Sequence, residues 1–233
     1  MEESAVVIIG ASSGFGAALA EDLAAAGRTV VAGARSARES GGGVLYRQVD
    51  VADEQSVADF FGYAASVSPA PYGLVYSAGD ASAVGYGWEV GPDELARVFD
   101  ATFFGFVRCL RYAVPAMRAA GRGSVLALGS HSARFPVEML GAYASAKAAL
   151  EHYVRTLAKE LTGTGVRANA LGIVAETALS RDFLDRKASA LGRPEPYPAL
   201  PQVRDNLPLA RFLLSEESRH VSGQVVDAFP PAW

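Results

Sequence analysis

Short apolar runs alternate along this chain with longer segments rich in helix-forming residues, and this alternation constrains the fold more than any other feature. The runs are nearly continuous rather than alternately apolar and polar, which is typical of parallel strands buried on both faces. Strands that alternate with helices form βαβ units. We predict seven strands, at residues 5–9, 29–32, 44–49, 72–76, 124–128, 166–171 and 224–227.

Helical segments fill the intervals between these runs, among them residues 15–26, 92–120 and 143–161. Gly27 and Gly121 end two of them, as glycine commonly does. We therefore predict an α/β fold with a single Rossmann-type, doubly wound parallel sheet of about seven strands and helices on both faces. With 233 residues and no evident linker, the whole chain, 1–233, is predicted to be one domain.

Two long stretches, 80–91 and 176–208, do not follow the strand–helix pattern. Long connections in compact domains are usually lids or binding loops, although disorder is the alternative. We expect residues 176–208 to form a substrate lid. Six side chains near the expected cleft either line an apolar substrate pocket or merely anchor loops: Tyr86, Trp88, Phe135, Met139, Phe183 and Leu184.

Charge and cysteine content argue against several classes of function. A net charge of −4 lacks the basic excess that nucleic acids and anionic membranes attract, so neither is expected as a partner. A single cysteine and three scattered histidines indicate a reduced compartment and no metal. No stretch approaches the ~20 apolar residues of a spanning helix, and the first residues do not resemble a signal peptide. We expect a cytoplasmic protein.

A glycine-rich turn separates the first predicted strand from the first helix, and its sequence is Gly10-Ala11-Ser12-Ser13-Gly14-Phe15-Gly16. Glycines let a backbone turn tightly and approach a pyrophosphate, and a helix N-terminus offers unpaired N–H groups to phosphate. Alone, such a pattern is more often a plain turn. Its place between strand and helix favours a dinucleotide site formed by Gly10, Ser12, Ser13, Gly14, Phe15 and Gly16.

A Tyr-x-x-x-Lys pair begins the predicted helix at 143–161. Residues four apart share a helix face, so Tyr143 and Lys147 can point into one cleft, although such pairs usually line a solvated surface. Ser130 precedes Tyr143 by thirteen residues and follows a predicted strand. Ligands bind at the carboxyl ends of parallel strands, so Ser130 is expected on the same rim as the glycine-rich turn.

The G-x-x-x-G-x-G turn and the Ser…Tyr-x-x-x-Lys arrangement resemble those of the short-chain dehydrogenase/reductase family, over nearly the whole chain. The resemblance implies that Tyr143 is the acid/base, that Lys147 stabilises its phenolate and binds the nicotinamide ribose, and that Ser130 hydrogen-bonds the reacting oxygen. Thr102 stands where relatives carry a catalytic Asn. It retains the backbone carbonyl of the proton relay if the helix is locally distorted there.

The same resemblance assigns the cofactor contacts. NAD-binding relatives carry an acidic residue at the end of the second strand, whereas this chain has Ala34 followed by Arg35. A guanidinium suits a 2′-phosphate, so NADP(H) is favoured over NAD(H), although a surface arginine after a strand is commonplace. Ser12 and Ser13 could bind the same phosphate. Asp50 and Val51 correspond to the adenine contact, with a helix cap near Asp53 as the alternative for Asp50.

Other signature positions are altered. Ser77-Ala78-Gly79 ends the fourth strand where Asn-Ala-Gly is usual, and it is expected beside the adenosine part of the cofactor. Val174 and Thr177 are the candidates for the nicotinamide carboxamide, in a segment that lacks the family's Pro-Gly motif. Phe229-Pro230-Pro231 replaces Asp-Gly-Gly, so packing there is expected to differ.

These features predict an NADP(H)-dependent oxidoreductase, a ketoreductase acting on a small-molecule carbonyl or secondary alcohol. Two alternatives stay open, a weakly catalytic NADP(H)-binding sensor or structural subunit and a non-redox cyclase or isomerase. By the same resemblance, helices 92–120 and 143–161 pair with a partner's copies, which implies a homodimer or homotetramer.

Overall fold

A computed structural model describes residues 4–36, 39–194 and 199–228 of the chain. The prediction for Phe229-Pro230-Pro231 and part of the expected lid, residues 195–198, lie outside the described residues. Seven strands form one parallel sheet, in the order β3-β2-β1-β4-β5-β6-β7. They are β1 (Val6–Ile9), β2 (Val30–Ala34), β3 (Val44–Gln48), β4 (Gly73–Tyr76), β5 (Gly123–Ser130), β6 (Val166–Ile173) and β7 (Val225–Ala228).

Helices cover both faces of the sheet, which confirms the predicted α/β architecture. They are α1 (Gly14–Ala25), α2 (Glu54–Val67), α3 (Pro92–Phe99), α4 (Gly105–Ala119), α5 (Gly141–Glu160), α6 (Ala178–Leu191) and α7 (Leu207–Leu214). One apolar core packs α2, α4 and α5 against the sheet, and a second core packs α1 and α7 against the opposite face. Central strands are therefore buried on both sides, as their continuous apolar sequences predict.

Two of the predicted elements need correction. The predicted helix 92–120 is not one regular helix, because a π-helical turn, Asp100–Phe104, separates α3 from α4. The segment 176–208 is not simply a long connection, because α6 fills much of it. The Thr177 side chain accepts the backbone N–H of Ser180 and caps α6, and Gly192 ends the helix in the left-handed region at φ 63°.

The strand order reverses direction between β1 and β4, so a crevice opens at their carboxyl ends. The turn after β1, the end of β4 and the end of β5 all reach this rim. Among residues 4–36, 39–194 and 199–228, no helix is long and apolar enough to cross a membrane. Within those ranges, no group of three His, Cys, Asp or Glu side chains is placed to hold a metal ion.

Candidate active site

A cavity of about 660 Å³ lies along this rim. Its size falls within the usual range for small-molecule and cofactor sites. Sixteen of the catalytic and cofactor-binding residues predicted from the sequence line the cavity: Gly10, Ser12, Ser13, Gly14, Phe15, Arg35, Asp50, Val51, Ser77, Ala78, Gly79, Ser130, Tyr143, Lys147, Val174 and Thr177. Gly16 and Thr102, also predicted from the sequence, lie behind this lining rather than in it.

The glycine-rich turn is packed so tightly that side chains are excluded. Gly10 has φ 86°, and a Cβ there would lie 2.7 Å from the carbonyl carbon of Ser77 at the end of β4. A Cβ on Gly16 would overlap the backbone oxygen of Gly10. Ser13 precedes α1 and its side chain makes no capping hydrogen bond, so it leaves the first N–H groups of this helix available beside the cavity that Ser13, Gly14 and Phe15 line. Such a backbone cradle fits the pyrophosphate of a dinucleotide.

Arg35 and Asp50 lie at the same end of the cavity as Val51. Arg35 is exposed and directly follows β2. Asp50 is not the cap of α2, because the Asp53 carboxylate accepts the N–H groups that begin this helix, from Gln55 at 2.8 Å and Ser56 at 3.1 Å. The helix-cap alternative for Asp50 is therefore wrong, and its carboxylate instead closes a turn by accepting the N–H of Ala52.

Ser130, Tyr143 and Lys147 lie close together in the lining of the cavity. Ser130 is the last residue of β5, and the other two lie on the first turns of α5. Lys147 Nζ is 5.5 Å from the centroid of the Tyr143 ring and donates a 2.7 Å hydrogen bond to the carbonyl of Leu128. Gly79 packs over this pair, since a Cβ on it would lie 3.7 Å from both side chains.

Burial dominates the electrostatics of this group. It raises the pKa of Tyr143 to about 12, with the Ser130 hydroxyl acting in the opposite direction and the Glu151 carboxylate adding to the increase. Burial also lowers the pKa of Lys147 to about 8, and the negative charge of Glu151 partly offsets that decrease. Burial thus favours the neutral phenol of Tyr143 and the neutral amine of Lys147.

Thr102 is fully buried within the π-helical turn. Its Oγ1 accepts the backbone N–H of Asp80 at 3.1 Å, and the carbonyl of the neighbouring Ala101 accepts the Tyr76 hydroxyl at 2.6 Å. The local distortion on which the prediction for Thr102 depends is therefore present. Asp100 begins the same turn, and its carboxylate pairs with Arg108 at 2.7 Å.

The apolar end of the cavity includes Phe183 and Leu184 from α6, together with Val137 and Leu140. The remaining four candidates do not line it. Trp88 is 81% exposed and stacks on Tyr86, while Phe135 is exposed and stacks on His131. Met139 is buried outside the lining. Of these four residues only Met139 is buried, so the loop-anchoring alternative suits it, whereas Trp88 and Phe135 are exposed.

Two features of the site were not predicted from the sequence, the position of Ser132 and an ion network around the buried Glu151. The Oγ atoms of Ser130 and Ser132 lie 2.9 Å apart, and Ser132 lines the cavity. Behind them, Arg134 pairs with Glu151 and with Asp227. The S-x-S spacing was a usable signal for Ser132. No local pattern could have linked three residues from a loop, a helix and a distant strand.

The glycine-rich turn lies where the strand order of the parallel sheet reverses, and it opens into the cleft that holds Tyr143 and Lys147. This arrangement is typical of α/β oxidoreductases that use a nicotinamide cofactor. Comparisons with known proteins agree. Residues 10–228 match a family model described as enoyl-(acyl carrier protein) reductase.

Individual relatives are similar over almost their full lengths. A short-chain type dehydrogenase/reductase of Picea abies is 30% identical, with 94% of this chain and 89% of the relative aligned. The NADPH-dependent aldehyde reductase-like protein, chloroplastic, of Arabidopsis thaliana is also 30% identical, over 94% of this chain and 90% of the relative.

A solved structure of 3-ketoacyl-(acyl-carrier-protein) reductase from Brucella melitensis, complexed with NADH, has a TM-score of 0.86 and 27% identity. The match covers 97% of each chain. The chain belongs to the short-chain dehydrogenase/reductase family. It has the oxidoreductase fold that binds a nicotinamide cofactor, and the geometry of its glycine-rich turn independently indicates the same cofactor.

Proposed function

We propose that this chain is a cytoplasmic, NADP(H)-dependent carbonyl reductase or alcohol dehydrogenase. One observation carries the proposal: Ser130, Tyr143 and Lys147 converge in the cavity that the glycine-rich turn opens into. Cys109, the one cysteine of the sequence, is buried and free, which fits a reducing compartment. The named activities of the Arabidopsis and Brucella proteins are of the same reaction class.

In the reductive direction, Tyr143 donates its phenolic proton to the carbonyl oxygen, and the Ser130 hydroxyl donates a hydrogen bond to the same atom. When bound, the nicotinamide ring supplies the hydride for the carbonyl carbon. The ammonium of Lys147 stabilises the phenolate left on Tyr143. Thr102 is proposed to support reprotonation of Tyr143 through its backbone carbonyl, because the π-helical turn distorts the helix at this residue.

Arg35 supports the preference for NADP(H). It lies at the cavity end formed by β2, where Ala34 and Ser36 provide no carboxylate to repel a 2′-phosphate. Ser12 and Ser13 are exposed on the turn beside it and add hydroxyl donors. Asp50, Val51 and Ser77-Ala78-Gly79 would surround the adenosine, and Val174 and Thr177 would meet the carboxamide.

The apolar end of the cavity supports a carbonyl substrate with an apolar body. α6 contributes Phe183 and Leu184 to that end and belongs to the segment 176–208, which we propose as a substrate lid. We also propose a homodimer or homotetramer, because Phe103, Phe104 and Tyr153 form an aromatic cluster that reaches the surface beside α4 and α5. Light scattering should give two or four times the chain mass, and a monomer would refute this assembly.

A panel of linear and cyclic ketones tests the activity, with NADPH and NADH offered separately and loss of reduced-cofactor absorbance as the readout. We expect turnover by the wild type and by Tyr63→Phe, a matched control on α2 outside the cavity, and none by Tyr143→Phe. Tight NADPH binding without any turnover would favour the sensor. Product formed without net cofactor oxidation would favour a cyclase or isomerase.

A further inference from the structure

A buried carboxylate lies directly behind Ser130. Glu151 is 2% exposed and follows Tyr143 and Lys147 along the same face of α5, at successive intervals of four residues. Its Oε1 accepts the backbone N–H of Ser130 at 3.1 Å. Glu151 does not line the cavity, so it acts on the site only through its neighbours.

Arg134 supplies the counter-charge for this carboxylate. Its guanidinium bridges Glu151 and Asp227, the latter on β7. Two strand positions make room for the network. A Cβ on Gly129 would lie 2.5 Å from Glu151 Oε1, and one on Gly172 would lie 2.6 Å from Arg134 Nη2. A buried carboxylate is retained only when it is paired and hydrogen-bonded, and both conditions are met here.

The ion pair holds both ends of the turn that carries Ser130. Ser130 begins the short 3₁₀ turn His131–Ala133, and Arg134 ends it. Glu151 binds the backbone N–H of Ser130 and the side chain of Arg134 at once. Because Glu151 belongs to α5, the same pair ties this turn to the helix that carries Tyr143.

We propose that Glu151, Arg134 and Asp227 are positioning residues that fix the Ser130 hydroxyl relative to the Tyr143 phenol. The inference rests on the proposed function, in which both hydroxyls contact the reacting oxygen. A misplacement of about 1 Å can cost a hundredfold in rate, so a network that sets this separation matters even without touching substrate.

Glu151→Gln tests the proposal with little change in shape. The Ser130 N–H and the Arg134 guanidinium donate to different oxygens of Glu151, so a glutamine would place its NH₂ group against one of these two donors. We expect kcat to fall about 10-fold or more, with the dissociation constant of the cofactor unchanged. Glu160→Gln, at an exposed position on the same helix, is the matched control and should keep wild-type kcat.

A double-mutant cycle separates positioning from general stability. If Glu151 acts through Ser130, Glu151→Gln should change kcat by less than about twofold in a Ser130→Ala background. Losses that multiply in the double variant would overturn the proposal. Asp227→Asn changes only the partly exposed end of the network, so it replaces Glu151→Gln in this cycle if that variant does not fold. It should lower kcat when Ser130 is present and have little effect in the Ser130→Ala background.

Amide exchange provides a readout that needs neither cofactor nor substrate. The Ser130 N–H should exchange faster in Glu151→Gln than in the wild type and Glu160→Gln, and equal rates in all three would overturn the proposal. Absence of turnover in the wild type would instead refute the proposed function. The exchange rates would then still decide whether Glu151 holds Ser130.

Discussion

Lys147 should make the folded protein less stable at neutral pH than at alkaline pH. Burial lowers its pKa from 10.5 to about 8, so the folded state binds the proton less tightly than the unfolded state does. Moving the pKa by this amount corresponds to about 3 kcal/mol. This cost is fully present below pH 8 and disappears as the pH rises toward 10.5, because the unfolded chain then holds more protons than the folded protein.

Lys147→Met removes this titration while keeping a long apolar stem. Met also loses the hydrogen bond to the Leu128 carbonyl, at any pH, so the test is how the difference from wild type changes with pH. In urea unfolding of the cofactor-free protein, the wild type should gain about 2 kcal/mol relative to the variant between pH 7 and 9.5. Tyr143, whose pKa rises to about 12, starts to contribute only above pH 10 and so stays outside this window.

Lys159→Met, at an exposed position of α5, controls for loss of a positive charge. Its difference from the wild type should stay nearly constant between pH 7 and 9.5. A gap between wild type and Lys147→Met that also stays constant would refute the reasoning. It would mean that the ammonium is as well solvated in the fold as in the unfolded chain.

Three further substitutions test other parts of the structure. Arg35→Ala should weaken NADPH binding by about 10-fold or more in calorimetry while changing NADH binding little. Equal weakening of both cofactors would refute Arg35 as the residue that binds the 2′-phosphate. Gly16→Ala should lower both Tm and cofactor affinity, because its Cβ would overlap a backbone oxygen of the same turn. Gly62→Ala, at an open position on α2, is the control and should change neither. A wild-type Tm for Gly16→Ala would contradict the tight packing of this turn. Tyr76→Phe should cost about 1 kcal/mol in urea unfolding, because it removes the hydrogen bond to the partly buried Ala101 carbonyl. An unchanged unfolding free energy would show that the π-helical turn does not depend on that bond.

The sheet was predictable because each strand is a compact apolar run bounded by polar residues or glycine. All seven predicted strands agree with the structure to within two residues at either end. β5 and β6 were predicted too short, since Gly129-Ser130 and Gly172-Ile173 continue the pairing although glycine and serine are poor strand formers. Register with a neighbouring strand, rather than local propensity, extends them.

The features missed from the sequence depend on contacts between distant segments. The π-helical turn is stabilised by the hydroxyl of Tyr76, twenty-five residues from its acceptor. The network of Arg134, Glu151 and Asp227 joins three separate elements. α6 is different, because its signals are local: Thr177 at the start, helix formers inside and Gly192 at the end. The prolines that follow this helix in the sequence favoured the prediction of a loop.

The candidate site was predictable in composition but not in electrostatics. The turn, the Tyr-x-x-x-Lys pair and Ser130 could be placed on one rim because parallel strands all end there. The pKa values of Tyr143 and Lys147 move in the direction that burial dictates. That burial depends on contacts with Gly79 and Glu151, which the spacing of residues in the sequence does not predict.

Deuterium transfer tests the central claim most directly. The wild type is incubated with NADPH deuterated at the transferring position of the nicotinamide ring and with any ketone that it turns over, and the alcohol is analysed by mass spectrometry. We predict one deuterium on the carbinol carbon with wild type and no labelled alcohol with Tyr143→Phe. Alcohol formed by the wild type without deuterium, or labelled equally well by the phenylalanine variant, would contradict the account.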